Sequence, residues 1–276
     1  MKEITLGHTP DADDAFMFYG LIAGKVTSLD FRIKHVVDDI ETLNKRALKH
    51  EIDVTAISAH AYAYLKDYVI LRSGASFGLN YGPVVVSKKR LSITHLKNSI
   101  IATPGKMTSA NLLLNLAIGR FTEKEMNFQL IPEAVLKDEV DAGILIHEAQ
   151  ITYSSLSLRK VLSLGAWWDA TTNGLLVPLG INVASIKSMT SEEIRRFNEL
   201  FKESILYGLK NRDAALAYAM RYSRRQPKNV MSKFIDMYVS NVTIDMGIIG
   251  EVSIKEMFKM GQQRGILPMN LRLIFA

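Results

Sequence analysis

The segment Asp141-Ala142-Gly143-Ile144-Leu145-Ile146-His147-Glu148 constrains this chain more than any other. A short apolar run between polar residues and a polar turn reads as an interior strand of a parallel sheet. In open α/β sheets, ligands sit beyond the carboxyl ends of the strands. Such a strand would deliver His147 to the place where chemistry is usually done. Histidine is also the side chain best suited to taking a proton near neutral pH. A histidine that merely closes a strand through a structural hydrogen bond fits this segment equally well.

The rest of the chain alternates in the same way. Strands are expected over 4–6, 31–36, 53–57, 68–72 and 84–86, then over 99–103, 127–131, 142–146 and 160–164. Helical patterns lie between them, over 15–23, 38–49, 59–65 and 134–138, with another running from Thr108 or Ser109 to Ile118. Asp13 or Asp14 is the expected N-cap of the first helix. The run 175–184 leads back toward the first lobe. From Thr190 onward the pattern is helical, with capping boxes at Thr190-x-x-Glu193 and Ser253-x-x-Glu256 and a break at Pro227. A chain of 276 residues is long enough for two α/β lobes. The expected architecture is α/β, with two lobes facing a cleft. Residues 1–86 and 178–276 form the first lobe with C-terminal helices, and 87–177 form the second.

Composition removes several classes of function. Without cysteine there is no disulfide, no thiolate nucleophile and no thiolate zinc site, which fits a reducing compartment. The N-terminus has no apolar signal core, and no apolar run approaches the ~20 residues of a membrane span. A soluble cytoplasmic protein is expected. The net charge is +6, and its densest cluster is Arg221, Arg224, Arg225 and Lys228. No aromatic-basic interleaving accompanies it, so it reads as a solvated helix end and nucleic acid is not an expected partner. Nothing in the sequence speaks to oligomeric state.

Four strand-end turns carry polar residues: 7–14, Ile57-Ser58, 105–109 and His147-Glu148. Together they suggest a small-molecule pocket. The turn 105–109 is the clearest binding element. Gly105 permits close backbone approach, and the helix start at Thr108 and Ser109 suits a carboxylate or phosphate. Plain N-capping by either hydroxyl is the alternative. The Gly-Lys-Ser/Thr spacing of a P-loop is absent, as is a Gly-x-Ser-x-Gly elbow around Ser58. His8, His35, His50, His60, His95 and His147 show no metal-ligand spacing, so no metal site is expected. For Trp167-Trp168, core packing and a flat ligand pocket both remain open.

At these residues a family resemblance emerges. It is carried by Leu6-Gly7 with Pro10, by Asp14-x-Phe16-x-Phe18-Tyr19, by Asp39-x-Glu41-Thr42-Leu43-Asn44 and by Leu71-Arg72-Ser73-Gly74. Further along it continues in Gly82-Pro83-Val84-Val85-Val86, Pro104-Gly105, Ile146-His147-Glu148 with Thr152-Tyr153, Leu164-Gly165-Ala166-Trp167-Trp168 and Pro178-Leu179-Gly180. The chain resembles the 1,4-dihydroxy-6-naphthoate synthase family of the futalosine route to menaquinone. The resemblance implies a fold like the type II periplasmic binding proteins. It implies a cofactor-independent lyase that breaks cyclic dehypoxanthine futalosine into 1,4-dihydroxy-6-naphthoate and a dihydroxyacetone-type fragment. By the same resemblance His147 is the base, and Thr108, Ser109, Ala56, Ile57 and Ser58 contact a small carboxylate substrate. Relatives often have Ser-Pro-Cys-Pro-Asn-Asp in the first loop where this chain has Thr9-Pro10-Asp11-Ala12-Asp13-Asp14, and a lysine where it has Ala56. Two other readings share the expected fold: a solute-binding protein for a small carboxylate, and a chorismate-dehydratase-like sister enzyme.

Overall fold

The structure, a computed structural model, describes residues 1–222 and 226–276. Of the basic cluster, Arg224 and Arg225 lie outside the described residues. The chain divides into two compact units. Unit 1 comprises Met1–Phe77, Gly180–Glu251 and Asn270–Ala276, and unit 2 comprises Gly78–Leu179 and Val252–Met269. Residues 78–86, 178–179 and 252–269 therefore fall in unit 2 rather than with the first lobe. The reason for the first shift is strand pairing, because the Val84-Val85-Val86 run enters the second sheet.

Unit 1 opens with β1 (Lys2–His8), α1 (Ala12–Ile22), β2 (Phe31–Val37), α2 (Ile40–Leu48) and β3 (Val54–Ser58), followed by β4 (Tyr68–Ile70) and β5 (Ser76–Gly78). β1 lies between β2 and β3, parallel to both. Helix α1 is apolar nearly all round and is buried from Ala12 to Leu21, as expected of a helix inside a core. Its N-cap is Asp11, not Asp13 or Asp14, because the Asp11 side chain accepts from the Asp14 N–H at 3.3 Å.

Unit 2 contains β6 (Val84–Ser87), β7 (Ile100–Thr103), α3 (Ser109–Ile118), β8 (Thr122–Glu125), α4 (Ile131–Leu136), β9 (Ala142–Leu145), α5 (Ala149–Thr152), β10 (Arg159–Ser163) and α6 (Leu164–Thr172). Its sheet order is β10-β6-β9-β7-β8. β9 is buried along its length, as expected, but its neighbours are mixed: β7 runs parallel to it and β6 antiparallel. A Cβ on Gly143 would collide with Ile131 and Val135, so glycine lets α4 lie directly on β9. The strand expected over 127–131 lies instead at 122–125. That segment, Thr-Glu-Lys-Glu, is a mostly exposed edge with no apolar run to betray it. The following apolar residues open α4, with Pro132 in its first turn.

β11 (Val177–Ser185) carries the chain from unit 2 into the first sheet, whose order is β2-β1-β3-β11-β4, with β5 also paired to β11. The helical return comprises α7 (Ser191–Lys210), α8 (Arg212–Ala219), α9 (Lys228–Tyr238), α10 (Asn241–Ile244) and α11 (Gly247–Gln263). The Thr190–Glu193 capping box forms. The box expected at Ser253 does not, because Ser253 is buried inside α11, which begins at Gly247. Among the described residues no helix is long and apolar enough to cross a membrane.

Candidate functional site

Each unit gathers polar side chains at the C-terminal edge of its own parallel strands. In unit 1, β1 ends on His8, which is fully buried and stacked against Phe18 and His35 at ring-centroid distances of 5.2 and 4.6 Å. His8 Nδ1 lies 2.7 Å from the Thr9 carbonyl. A carbonyl only accepts, so Nδ1 carries the proton and Nε2 is a bare acceptor without a partner. Burial, and then the neighbouring His35, push this imidazole down to about 4. His8 is therefore neutral at physiological pH.

The Asp-rich loop follows. Asp14 accepts from Thr9 N at 2.9 Å and from Thr9 Oγ1 at 2.7 Å, while Asp13 Oδ2 accepts from Ser76 Oγ at 2.9 Å. Oxygens of Asp11, Asp13 and Asp14 lie within 4.8 Å of one another, near enough for one cation. Each of these carboxyl groups nonetheless already accepts a hydrogen bond from the protein. Burial, then Asp11 and Asp14, push the Asp13 carboxyl well above the carboxylate range. The shift favours the protonated form of Asp13, which lessens the crowding of three acids. β3 carries the other residues expected at the site. Ala56 packs its methyl against Leu43 and Ile52, and Ile57 is fully buried. Ser58 ends the strand, held by Asn44: its N–H donates to Asn44 Oδ1 at 2.9 Å.

In unit 2, β7 ends at Thr103 and the turn runs through Gly105, whose φ of +146° favours glycine. Thr108 is the N-cap of α3. Its hydroxyl accepts from Asn111 N at 3.3 Å and donates to the Gly105 carbonyl at 2.8 Å. Ser109 donates to the Leu179 carbonyl at 2.6 Å. The capping alternative is thus realised by Thr108. β9 ends one residue before Ile146, and His147 follows in left-handed backbone at φ +52°. Histidine tolerates that region better than most residues, and such conformations cluster at functional sites. The ring is half-buried and meets Phe128 edge-on, centroids 4.7 Å apart. Because β7 and β9 are adjacent and parallel, with Ile101 opposite Ala142, the 105–109 turn and His147 share one sheet edge. Trp168 is core, its Nε1 donating to the Leu176 carbonyl at 3.0 Å.

Asn44 and Ser76 escaped sequence reasoning as site residues. Their signal was weak, since one sits inside an amphipathic helix and the other in a Gly-rich loop.

A protein-family model described as "Menaquinone biosynthesis" matches residues 4–263. The chain belongs to this menaquinone-biosynthesis family. Within it, the chain is 34% identical over 277 residues to a 1,4-dihydroxy-6-naphthoate synthase of Thermus thermophilus, covering 100% of both proteins. A crystal structure of an Archaeoglobus fulgidus protein superposes with a TM-score of 0.91 at 45% identity, covering 96% of this chain and 98% of that one. The ligand-binding component of an ABC-type import system from Staphylococcus aureus superposes with a TM-score of 0.73 at 12% identity, covering 99% of this chain and 96% of that one. The family member described here therefore has the fold of the periplasmic binding proteins.

Proposed function

We propose that this chain is a 1,4-dihydroxy-6-naphthoate synthase. It fragments cyclic dehypoxanthine futalosine into 1,4-dihydroxy-6-naphthoate and a dihydroxyacetone-type fragment. His147 abstracts a proton from the sugar-derived part of the substrate. A retro-aldol-like cleavage follows, driven by aromatisation of the released ring. The substrate carboxylate rests on the helix start at Thr108 and Ser109, and the end of β3 at Ala56, Ile57 and Ser58 adds contacts. The reaction needs no cofactor and no metal on this reading.

The observation that carries this reading is the pairing of β7 with β9, which puts the anion-suited turn and a half-buried histidine on one sheet edge. A positioned base contributes about 10²–10⁴-fold, and orientation must supply much of the rest. The name borne by the Thermus thermophilus relative over its full length supports the same product. The test is to incubate purified protein with cyclic dehypoxanthine futalosine and follow release of the naphthoate. Turnover that is lost in His147→Ala supports the reading. Tight binding without turnover would instead favour a carboxylate receptor, and turnover of chorismate would favour the sister dehydratase.

A further inference from the structure

We propose that Asn44 is a positioning residue that turns the Ser58 hydroxyl proton outward, toward an acceptor oxygen of the substrate. The assignment rests on the proposed function, in which Ser58 contacts substrate, and it adds the polarity of that contact.

The geometry fixes the direction. A backbone N–H can only donate, so the atom of Asn44 that faces Ser58 N at 2.9 Å must be Oδ1. The amide nitrogen then has two protons to place. One goes to Glu41 Oε2 at 3.2 Å and the other to Ser58 Oγ at 3.3 Å. Glu41, in the first turn of α2, is buried, and its Oε1 lies 3.7 Å from Lys45 Nζ. Asn44 is itself fully buried, so no water competes for its amide. A serine hydroxyl has two acceptor sites and one proton. With Asn44 already donating into one acceptor site, the serine proton is turned away from Asn44, and one acceptor site is left beside it. Across the sheet, Ser58 faces Gly180 of β11, which places no side chain beside it.

Ser58 so arranged discriminates. It rewards a ligand carbonyl, carboxylate or developing alkoxide oxygen at that point. A ligand N–H there has only the one acceptor site that Asn44 leaves, whereas an acceptor oxygen meets the outward-turned proton. Asn44 touches no ligand and works through the serine.

The test is a cycle of variants assayed on cyclic dehypoxanthine futalosine, with KM and kcat read separately. Ser58→Ala deletes the donor. The paired change Glu41→Gln with Asn44→Asp keeps the hydrogen bond between those two positions. It also keeps an acceptor for Ser58 N. The polarity toward Ser58 Oγ reverses, so the serine proton turns inward to Asp, while the charge facing Lys45 moves from position 41 to position 44. Each arm is expected to raise KM on the order of tenfold, the worth of one hydrogen bond. Combined with Ser58→Ala, the paired change should add less than about twofold, because its effect runs through the missing hydroxyl. Ser58→Thr, which retains the hydroxyl, should recover part of the loss. A merely structural role would lower the melting temperature and multiply the KM effects. Multiplicative effects in an active enzyme overturn the role of Asn44 alone. A wild-type protein that does not turn the compound over overturns the functional reading, and the role of Asn44 with it.

Discussion

Two histidines stand at the C-terminal ends of parallel strands, one in each unit, and their surroundings differ sharply. His8 closes β1 inside a stack of rings, with no exposed surface and with its proton fixed on Nδ1. Burial pushes its basicity down to about 4, too weak for efficient proton abstraction at neutral pH. His147 stands just beyond β9, half-buried, on left-handed backbone, with its ring against the edge of Phe128. A strand-end position is therefore not enough to make a base. What separates the two is how much solvent and ligand space the fold leaves around the ring.

The largest effect that can break this contrast is on turnover. His147→Ala is expected to lower kcat by about 10²–10⁴-fold, the usual contribution of a positioned base. The melting temperature should move little, since the ring is only half-buried. His8→Asn should behave in reverse, retaining most turnover while losing stability. Equal losses of turnover in the two variants would erase the distinction.

A second test uses pH. The imidazole of His8 is 6.5 in the unfolded chain and about 4 when folded. Between those values the unfolded chain binds a proton that the folded one refuses. His8 therefore contributes its full stability above 6.5 and loses it as pH falls toward about 4. Across that window the loss amounts to roughly 3 kcal/mol. Urea unfolding at pH 7, 5.5 and 4.5 should show this slope in the wild type and a shallower one in His8→Asn. Parallel slopes would mean that His8 is not the group responsible.

Asp13 works in the opposite sense. Its carboxyl is pushed up by burial, so the folded state keeps a proton that the unfolded chain gives up above 3.8. Its stability contribution is present at low pH and is lost as pH rises. Asparagine at this position can still accept from Ser76 and donate toward Asp11, without a proton to hold. Asp13→Asn is thus expected to raise the melting temperature at pH 7, with a gain that shrinks toward the carboxylate range. A lower melting temperature at pH 7 would show that the carboxyl is charged and satisfied there.

The elements legible in the sequence were those with strong apolar periodicity. The core strands β1, β3 and β9, the buried helix α1 and the box that starts α7 all declare themselves in this way. The edge strand β8 does not, because Thr-Glu-Lys-Glu carries no burial signal and is defined only by its pairing with β7. The site divides along the same line. Its position at strand ends follows from fold class, whereas its protonation states follow from contacts distant in sequence. Ser76 reaches Asp13 across 63 residues, and Asn44 reaches Ser58 across 14. Burial of His8 depends on His35 in another strand. No local pattern encodes such meetings.

The smallest effect compares the two helix starts that follow β1 and β7. Thr108 and Asp11 hold equivalent places, each accepting at 3.3 Å from the amide three residues on. Loss of an N-cap costs about 1 kcal/mol. Thr108→Ala should lower stability by about that amount, and Thr108→Ser should restore it, because the serine hydroxyl can cap in the same way. Asp11→Ala loses the same kind of cap but also removes a charge that stands beside Asp13 and Asp14. Relief of that repulsion offsets the lost cap, so Asp11→Ala should cost less than Thr108→Ala. If Asp11→Ala proves the more damaging in chemical unfolding, the acid loop is held together by its charges rather than strained by them.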